Sequence, residues 1–220
     1  MQLNLVGEEN FSIGIIFWKI RSLFNADNRL LKLMNNDKYE EFIIKQKILI
    51  NKKKNEREKE VPIFNLSVGY FRNNQVNESI KVLESLDVNK LSNSVKPIYY
   101  DNLLTYYIHI RNDEMVDKVF SEGELYLREL KKVSNVAYNF VVCNYYAYKR
   151  MWKESNELLS KIDYDKLNKT GKVNYNFLKV DIYVGIGKLE EAEKILKKLS
   201  QKQLSPKDMC LLKNFKINLN

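Results

Sequence analysis

The chain has 220 residues, of which 45% are apolar and 30% are charged, and its formal net charge is +9. This balance excludes a disordered chain, which would be less apolar, and a membrane-spanning bundle, which charge would interrupt less often. Three prolines and seven glycines are too few for the many tight turns of a β-sandwich, so we expect an all-α protein. The two cysteines, Cys143 and Cys210, lie far apart without metal-ligand spacing, and neither a metal nor another cofactor is expected.

Residues 11–24, FSIGIIFWKIRSLF, are apolar at helical spacing on nearly every side. A helix within residues 1–24 could cap the fold, dock onto a partner or a second copy, or lie on a membrane surface. We favour capping over self-association and over membrane contact, because the first helical hairpin described below would otherwise leave an apolar face uncovered. The run is shorter than the roughly 20 residues that span a bilayer, and the first ten residues are acidic rather than basic, which predicts a cytoplasmic protein.

Two segments carry most of the positive charge. Residues 45–59 contain seven basic and two acidic side chains, and residues 188–216 contain eight basic and four acidic ones. The first segment is predicted to be a solvated helical extension that ends before Pro62. Both segments could contact phosphate or an anionic surface, but no aromatic side chains interleave with the charges of the first one, so nucleic acid is not favoured as a partner.

Residues 182–199, IYVGIGKLEEAEKILKKL, show the clearest pattern of a helix, a turn and a second helix. Tyr183 precedes Ala192 by nine residues, and Gly187 marks the turn between them. The same spacing recurs upstream, and the second-helix positions are 37, 37, 39 and 37 residues apart. A near-constant period of this length predicts stacked helical hairpins over residues 25–204. The four upstream copies join Leu33 to Phe42, Tyr70 to Ser79, Tyr107 to Val116 and Tyr146 to Ser155.

Residues 205–220 begin with a helix-start signal. Ser205 is a good N-cap, Pro206 suits the first helical position, and Asp208 falls in the first turn. We therefore predict a last helix that starts near residue 206 and caps the end of the array.

No motif of a known catalytic site accompanies His109, the only histidine of the chain. The sequence contains no GxSxG, HExxH or GxxxxGK[ST] pattern. Acidic pairs such as Glu190 and Glu191 fall in first turns of helices, where the helix dipole favours them. These observations predict a protein that is not an enzyme.

The repeated pattern resembles the tetratricopeptide repeat (TPR) family, most closely in YVGIGKLEEAEKILKKL, which has the tyrosine, turn glycine, alanine and apolar residues in the family's order. The period is longer than the family's usual 34 residues, so the resemblance is to a divergent array. It implies a right-handed α-solenoid of about five stacked helical hairpins with capping helices at both ends. It also implies a concave groove lined by the first helices, with peptide-binding positions at Phe64, Phe71, Arg72, Asp101, Thr105, His109, Phe140, Asn144, Tyr148 and Asp181.

The resemblance favours a non-enzymatic adaptor or scaffold that binds a protein or peptide in this groove. The aromatic positions would serve as apolar anchors, with Asp101, Asn144 and Asp181 orienting the ligand, although burial between hairpins is an equal alternative for each side chain. The groove lacks the paired lysines with which some TPR proteins grip a chaperone's C-terminus. Two alternatives remain: a regulatory peptide receptor similar to the Gram-positive pheromone sensors that use TPR arrays, and a binder of nucleic acid or anionic surfaces through the Lys-rich segments.

Overall fold

A computed structural model of the chain describes residues 28–219; the predicted apolar helix of residues 1–24 lies outside them. Within the described part, the chain forms eleven helices and no strand, which confirms the all-α prediction. The helices are Asn28–Asn35 (α1), Tyr39–Lys52 (α2), Glu56–Arg72 (α3), Val76–Glu84 (α4), Lys96–Ile110 (α5), Asp113–Val133 (α6), Asn135–Tyr148 (α7), Trp152–Ser160 (α8), Lys169–Gly185 (α9), Leu189–Ser200 (α10) and Pro206–Leu219 (α11).

The first ten helices form five consecutive pairs, each joined by a short turn and packed together. The position that the repeat spacing singled out is the fourth residue of the second helix in each pair, and all five of these side chains are 0% exposed. Phe42 is buried as completely as its smaller counterparts because α3 presents Gly69, where a Cβ atom would come within 2.9 Å of the Phe42 ring. The five buried positions are Phe42, Ser79, Val116, Ser155 and Ala192.

One turn geometry recurs in all five pairs. Each turn contains one residue in the left-handed backbone region, with φ values of 58°, 61°, 56°, 59° and 77° for Asp37, Asn74, Arg111, Arg150 and Gly187. The N–H of the next residue donates to the carbonyl five residues before it, as in a Schellman motif, over 2.8 to 3.1 Å. The five accepting carbonyls belong to the residues that open the nine-residue spacing, namely Leu33, Tyr70, Tyr107, Tyr146 and Tyr183.

The prediction that residues 45–59 form one helical extension that ends before Pro62 is wrong. The chain leaves the helical conformation earlier, at Lys53, and a new helix starts at Asn55, whose side chain accepts a hydrogen bond from the Arg57 N–H at 3.0 Å. Pro62 lies inside this new helix with its ring buried. A strong N-cap therefore determines the start of α3, although the proline has no N–H to donate to the helix.

The apolar core runs along the chain as a series of clusters, each built mainly from consecutive helices. The largest cluster spans α3 to α7, the next spans α7 to α9, and another joins α9, α10 and α11. Phe64, which the sequence placed in the groove, belongs to the largest cluster and is only 2% exposed. None of the described helices combines the length and the apolar character that crossing a bilayer requires.

Helix α11 begins where the sequence predicted. The Asp208 N–H donates to Ser205 Oγ at 3.2 Å, and Ser205 Oγ donates to Asp208 Oδ2 at 2.6 Å, so the cap and the first turn hold each other. The helix packs on its neighbour α10 and also on α3, far back in the sequence. This second contact places α11 across the first helices of the earlier pairs.

Candidate functional site

The first helices of four pairs and α11 enclose one cavity of about 280 Å³, called the central cavity below. It lies where α11 faces α3, α5, α7 and α9. Its wall is formed by Phe71 from α3; Asp101, Thr105, Ile108, His109 and the adjacent Arg111 from α5; Ala137, Phe140, Val141, Asn144 and Tyr148 from α7; Asn174, Phe177, Leu178 and Asp181 from α9; and Lys207, Leu211, Asn214 and Phe215 from α11.

Helical periodicity explains why these side chains share one wall. On α7, Phe140, Asn144 and Tyr148 are four residues apart and therefore form one stripe along the helix. The stripes on α5 and α9 have the same register within the repeat, so Thr105, Asn144 and Asp181 occupy equivalent positions. Stacking helix pairs in register brings these stripes side by side.

Eight of the ten predicted groove residues line the central cavity: Phe71, Asp101, Thr105, His109, Phe140, Asn144, Tyr148 and Asp181. Phe64 and Arg72 do not. Phe64 is in the core, and Arg72 is buried behind the cavity wall, where it pairs with a residue of α11. The central positions of the carried-over register thus lie together on the cavity wall, while α11 changes the environment of Arg72.

The part of the cavity wall that α11 contributes was not identified from the sequence. Lys207, Leu211 and Phe215 follow one another at helical spacing, and the rings of Phe177 and Phe215 stack with centroids 6.2 Å apart. The sequence signals at Ser205 and Asp208 reveal where the helix starts, but they do not reveal which surface it covers.

A buried cluster of charges joins α11 to α3. Asp208 Oδ2 lies 3.2 Å from Arg72 Nη1, and Asp208 Oδ1 lies 2.9 Å from Lys207 Nζ. All three residues are at least nine-tenths buried, and Asp208 is 1% exposed. Burial alone would raise the pKa of Asp208, but the positive charges of Lys207 and Arg72 and the bond from Ser205 hold it at about 2. We call this cluster the Asp208 cluster.

Asp101 has the opposite surroundings. Its side chain lines the central cavity, the residue is 6% exposed, and no hydrogen bond or ion pair to its carboxyl group is found among residues 28–219. Burial raises the pKa of Asp101 to about 7, because no cation or hydrogen-bond donor in the described part of the chain offsets the loss of water. At neutral pH this group is therefore divided between its charged and neutral forms.

Two further titratable groups on the wall are shifted by burial. Burial raises the pKa of Asp181 to about 6, although the positive charge of Arg111 opposes the shift. Burial also lowers the pKa of His109 to about 4, and the positive charge of Lys207 acts in the same direction. His109 is therefore neutral at physiological pH and packs against Phe71, with ring centroids 5.4 Å apart.

Phe71 serves the core as much as the cavity. It is 4% exposed, and its ring contacts Tyr106 at a centroid distance of 4.7 Å and the Lys207 ammonium at 5.1 Å. The half-buried rings of Phe140 and Tyr148 are more available to a ligand. The hydroxyl of Tyr148 donates to Asp113, which orients its ring.

The described residues contain no group of three or more histidine, cysteine or acidic side chains that could hold a metal ion. Cys143 is buried, and its thiol lies 3.2 Å from the Ser155 carbonyl oxygen, while Cys210 is half-buried. Burial raises the pKa of the Cys143 thiol to about 11, which makes it a structural group rather than a nucleophile.

No protein-family model, curated protein or solved structure matches this chain. The resemblance to TPR proteins therefore rests only on the repeat spacing and on the order of residues in its clearest copy.

Proposed function

We propose that this chain is a non-enzymatic, TPR-like α-solenoid that binds a peptide, or an extended segment of a partner protein, in the central cavity. The observation that carries the proposal is the cavity itself, where aromatic side chains alternate with a few polar ones. Binding sites for peptides and small molecules commonly combine an apolar wall with a small number of placed polar groups.

The polar groups on the wall suit a peptide backbone. Asn144 and Asn174 carry amides that can donate to a carbonyl and accept from an N–H. Asn174 Nδ2 is buried and has no hydrogen-bond partner among the described residues, so a ligand group that reached it would satisfy this donor. The rings of Phe140 and Phe177 lie near these amides on α7 and α9 and supply apolar contact.

The proposal is tested by filling the cavity. A displayed library of random 12-residue peptides is selected on the full chain, and the enriched peptides are then measured by fluorescence polarisation against two variants. Thr105→Trp places an indole in the cavity, whereas Asn156→Trp places the same side chain on an exposed position of α8.

We expect Thr105→Trp to abolish binding and Asn156→Trp to leave it unchanged, with both variants keeping their helicity and melting temperature. Peptides that bind both variants equally would place the site elsewhere. The absence of any enriched peptide would overturn the proposal. A regulatory peptide receptor would use the same cavity, so this experiment covers that alternative too.

Binding of nucleic acid or an anionic surface through the Lys-rich segments has less support. Three lysines of the first segment already pair with glutamates, and Lys207 of the second is buried in the Asp208 cluster. Counterion release would weaken such binding by orders of magnitude between about 50 and 200 mM salt. Retention on a phosphate matrix that does not depend on salt would remove this alternative.

A further inference from the structure

We infer that the ligand of the central cavity carries a positively charged group, a lysine or arginine side chain or a free amino terminus, and that the Asp101 carboxylate pairs with it. This inference rests on the proposed function, because it specifies the chemistry of the ligand that the cavity binds.

The first support is that Asp101 is a buried acid without a partner. A carboxyl group removed from water is costly unless a donor or a cation satisfies it, and buried polar groups in folded proteins are usually paired. Asp101 has no such partner among residues 28–219, yet it faces open volume rather than apolar packing. Among the fully buried polar atoms without hydrogen-bond partners, the Gln46 amide and Asn65 Oδ1 do not line the cavity, whereas Asn174 Nδ2 does and offers a donor rather than an anion.

The second support is the distribution of positive charge. The buried cations near the cavity are already engaged, since Lys207 and Arg72 both pair with Asp208. The positive charge of Arg111 lies close enough to Asp181 to oppose the rise in the pKa of that carboxyl group. Within residues 28–219 no positive charge pairs with Asp101, so a cationic ligand group would supply a charge-assisted hydrogen bond that these residues do not provide.

The third support is the apolar wall beside Asp101. Lysine and arginine bury their methylene stems against apolar and aromatic surfaces while the charged end reaches a polar partner. Phe140, Phe177 and Phe215 provide such a surface in the same cavity. The geometry suits a cationic side chain next to an apolar one, and it does not suit a strongly acidic segment.

Pairing with a cation links binding to protonation. The free Asp101 group titrates near neutrality, and only its ionised form pairs with a cation, so affinity should rise as the pH increases from 5.5 to 8. His109 does not titrate in this window, since its pKa is about 4. Burial raises the pKa of Tyr99, which lies two residues before Asp101 on α5. The negative charges of Glu84 on α4 and Glu122 on α6 act in the same direction. The other charged or titratable groups around Asp101 are Tyr106 on its own helix, Arg72 on α3, Arg111, Tyr148 on α7, Asp181 on α9, and Lys207 and Asp208 on α11.

Acetylated and amidated hexapeptide pools, in which one position is fixed as lysine, arginine, norleucine or glutamate and the others are mixed, test the inference on the full chain. A further set of pools carries a free amino terminus. Binding is measured for the native chain, for Asp101→Asn, which keeps the shape but removes the charge, and for Asp165→Asn, which makes the same change on an exposed loop. Asp101→Asn also removes any dependence of affinity on the Asp101 proton, whereas Asp181 titrates in both chains.

We expect a pool with a cationic group to bind the native chain about 10-fold to 100-fold more tightly than the norleucine pools. This ratio should fall to about 1 to 2 in Asp101→Asn, together with the rise in affinity with pH, and should persist in Asp165→Asn.

Four results would overturn the inference. They are equal binding of the norleucine and cationic pools, preference for glutamate, a cationic preference that survives Asp101→Asn, and affinity that falls with rising pH, as a neutral carboxyl donating to a carbonyl would produce. In each of these cases, loss of binding in Thr105→Trp would leave the proposed function standing. If no pool binds the native chain, both proposals fall.

Discussion

Asp208 and Asp101 are two buried carboxyl groups close to the same cavity, and their environments differ in one respect. Asp208 lies between two cations and a hydroxyl, and its pKa is about 2. Asp101 has no partner among the described residues, and burial raises its pKa to about 7. Loss of water acts on both groups in the same direction, so the neighbouring charges account for the difference.

The comparison separates two uses of a buried acid. The Asp208 cluster is satisfied within the chain and holds α11 against α3. Asp101 is left unsatisfied at an opening, which lowers the stability of the free protein and leaves a contact for a ligand to make. Groups of this second kind concentrate at functional sites.

Removing the charge of Asp208 should have the largest effect on stability. Asp208→Asn would leave Arg72 and Lys207 buried without an anion, and breaking a buried ion pair in this way destabilises a protein by about 3 to 5 kcal/mol. Denaturant unfolding followed by circular dichroism measures the loss. The control Glu129→Ala breaks the exposed pair with Lys132 and should cost less than about 1 kcal/mol. A similar small loss for Asp208→Asn would mean that the cluster does not hold α11.

The pH dependence of stability distinguishes the two carboxyl groups directly. Because the folded-state pKa of Asp208 is lowered, its contribution is complete above about pH 4 and is lost as the pH falls toward 2. Because the folded-state pKa of Asp101 is raised, folding favours its protonated form, and stability declines as the pH rises from about 4 to 7.

Asp101→Asn should therefore abolish a decline of up to about 4 kcal/mol between pH 4 and 7. The measurement is the difference between native and variant unfolding free energies across this range, in which the contribution of Asp181 cancels. Parallel curves for the two chains would show that Asp101 is not a buried, unpaired acid.

An intermediate effect is expected at Lys207, and the only histidine of the chain reports it. Lys207→Met leaves the Arg72–Asp208 pair in place, so it should cost less stability than Asp208→Asn. It also removes a positive charge that lowers the pKa of His109, so that pKa should rise above about 4. Titration of the His109 ring signal by NMR checks the shift, and the exposed Lys202→Met should leave it unchanged. An unshifted signal would contradict the placement of Lys207 beside His109.

The smallest effects concern two of the turns between paired helices, and they test whether the comparison depends on charge alone. Gly187→Ala puts a side chain in the left-handed region and should cost about 1 kcal/mol, although open space surrounds the site. Arg150→Gly relieves the same strain at an exposed turn and should stabilise the chain by up to about 1 kcal/mol. Thermal melts should show these opposite shifts, and neither variant should change the pH dependence described above.

The helix pairs could be predicted from the sequence because their signals are local. The first residue of the nine-residue spacing supplies the carbonyl that accepts the turn's hydrogen bond, and the last is the buried position of the second helix. The signals for the start of α11 lie within the four residues from Ser205 to Asp208. The left-handed Arg111 and Arg150 could not be predicted in this way, since arginine carries no preference for that region and the repeated turn imposes it.

The site could be predicted only in part, because its energetics depend on contacts between distant segments. The register of the repeat predicted that Asp101, Asn144 and Asp181 share one wall, and all three line the central cavity. The partner of Arg72 lies on α11, and nothing near Arg72 in the sequence indicates it. For the same reason, the sequence does not reveal that Asp101 lacks a partner among the described residues. This is known only when the positions of all the surrounding helices are known.

The contact between α11 and α3 has a consequence for folding. Most helix contacts in the chain join neighbours, whereas Arg72 and Asp208 are separated by more than half of the sequence. Contacts of such large sequence separation form late, because ordering the intervening chain costs entropy first. During synthesis, the helices that carry the rest of the wall leave the ribosome before α11 does. For that interval the cavity lacks the wall that α11 contributes, and the surface that α11 later covers is open.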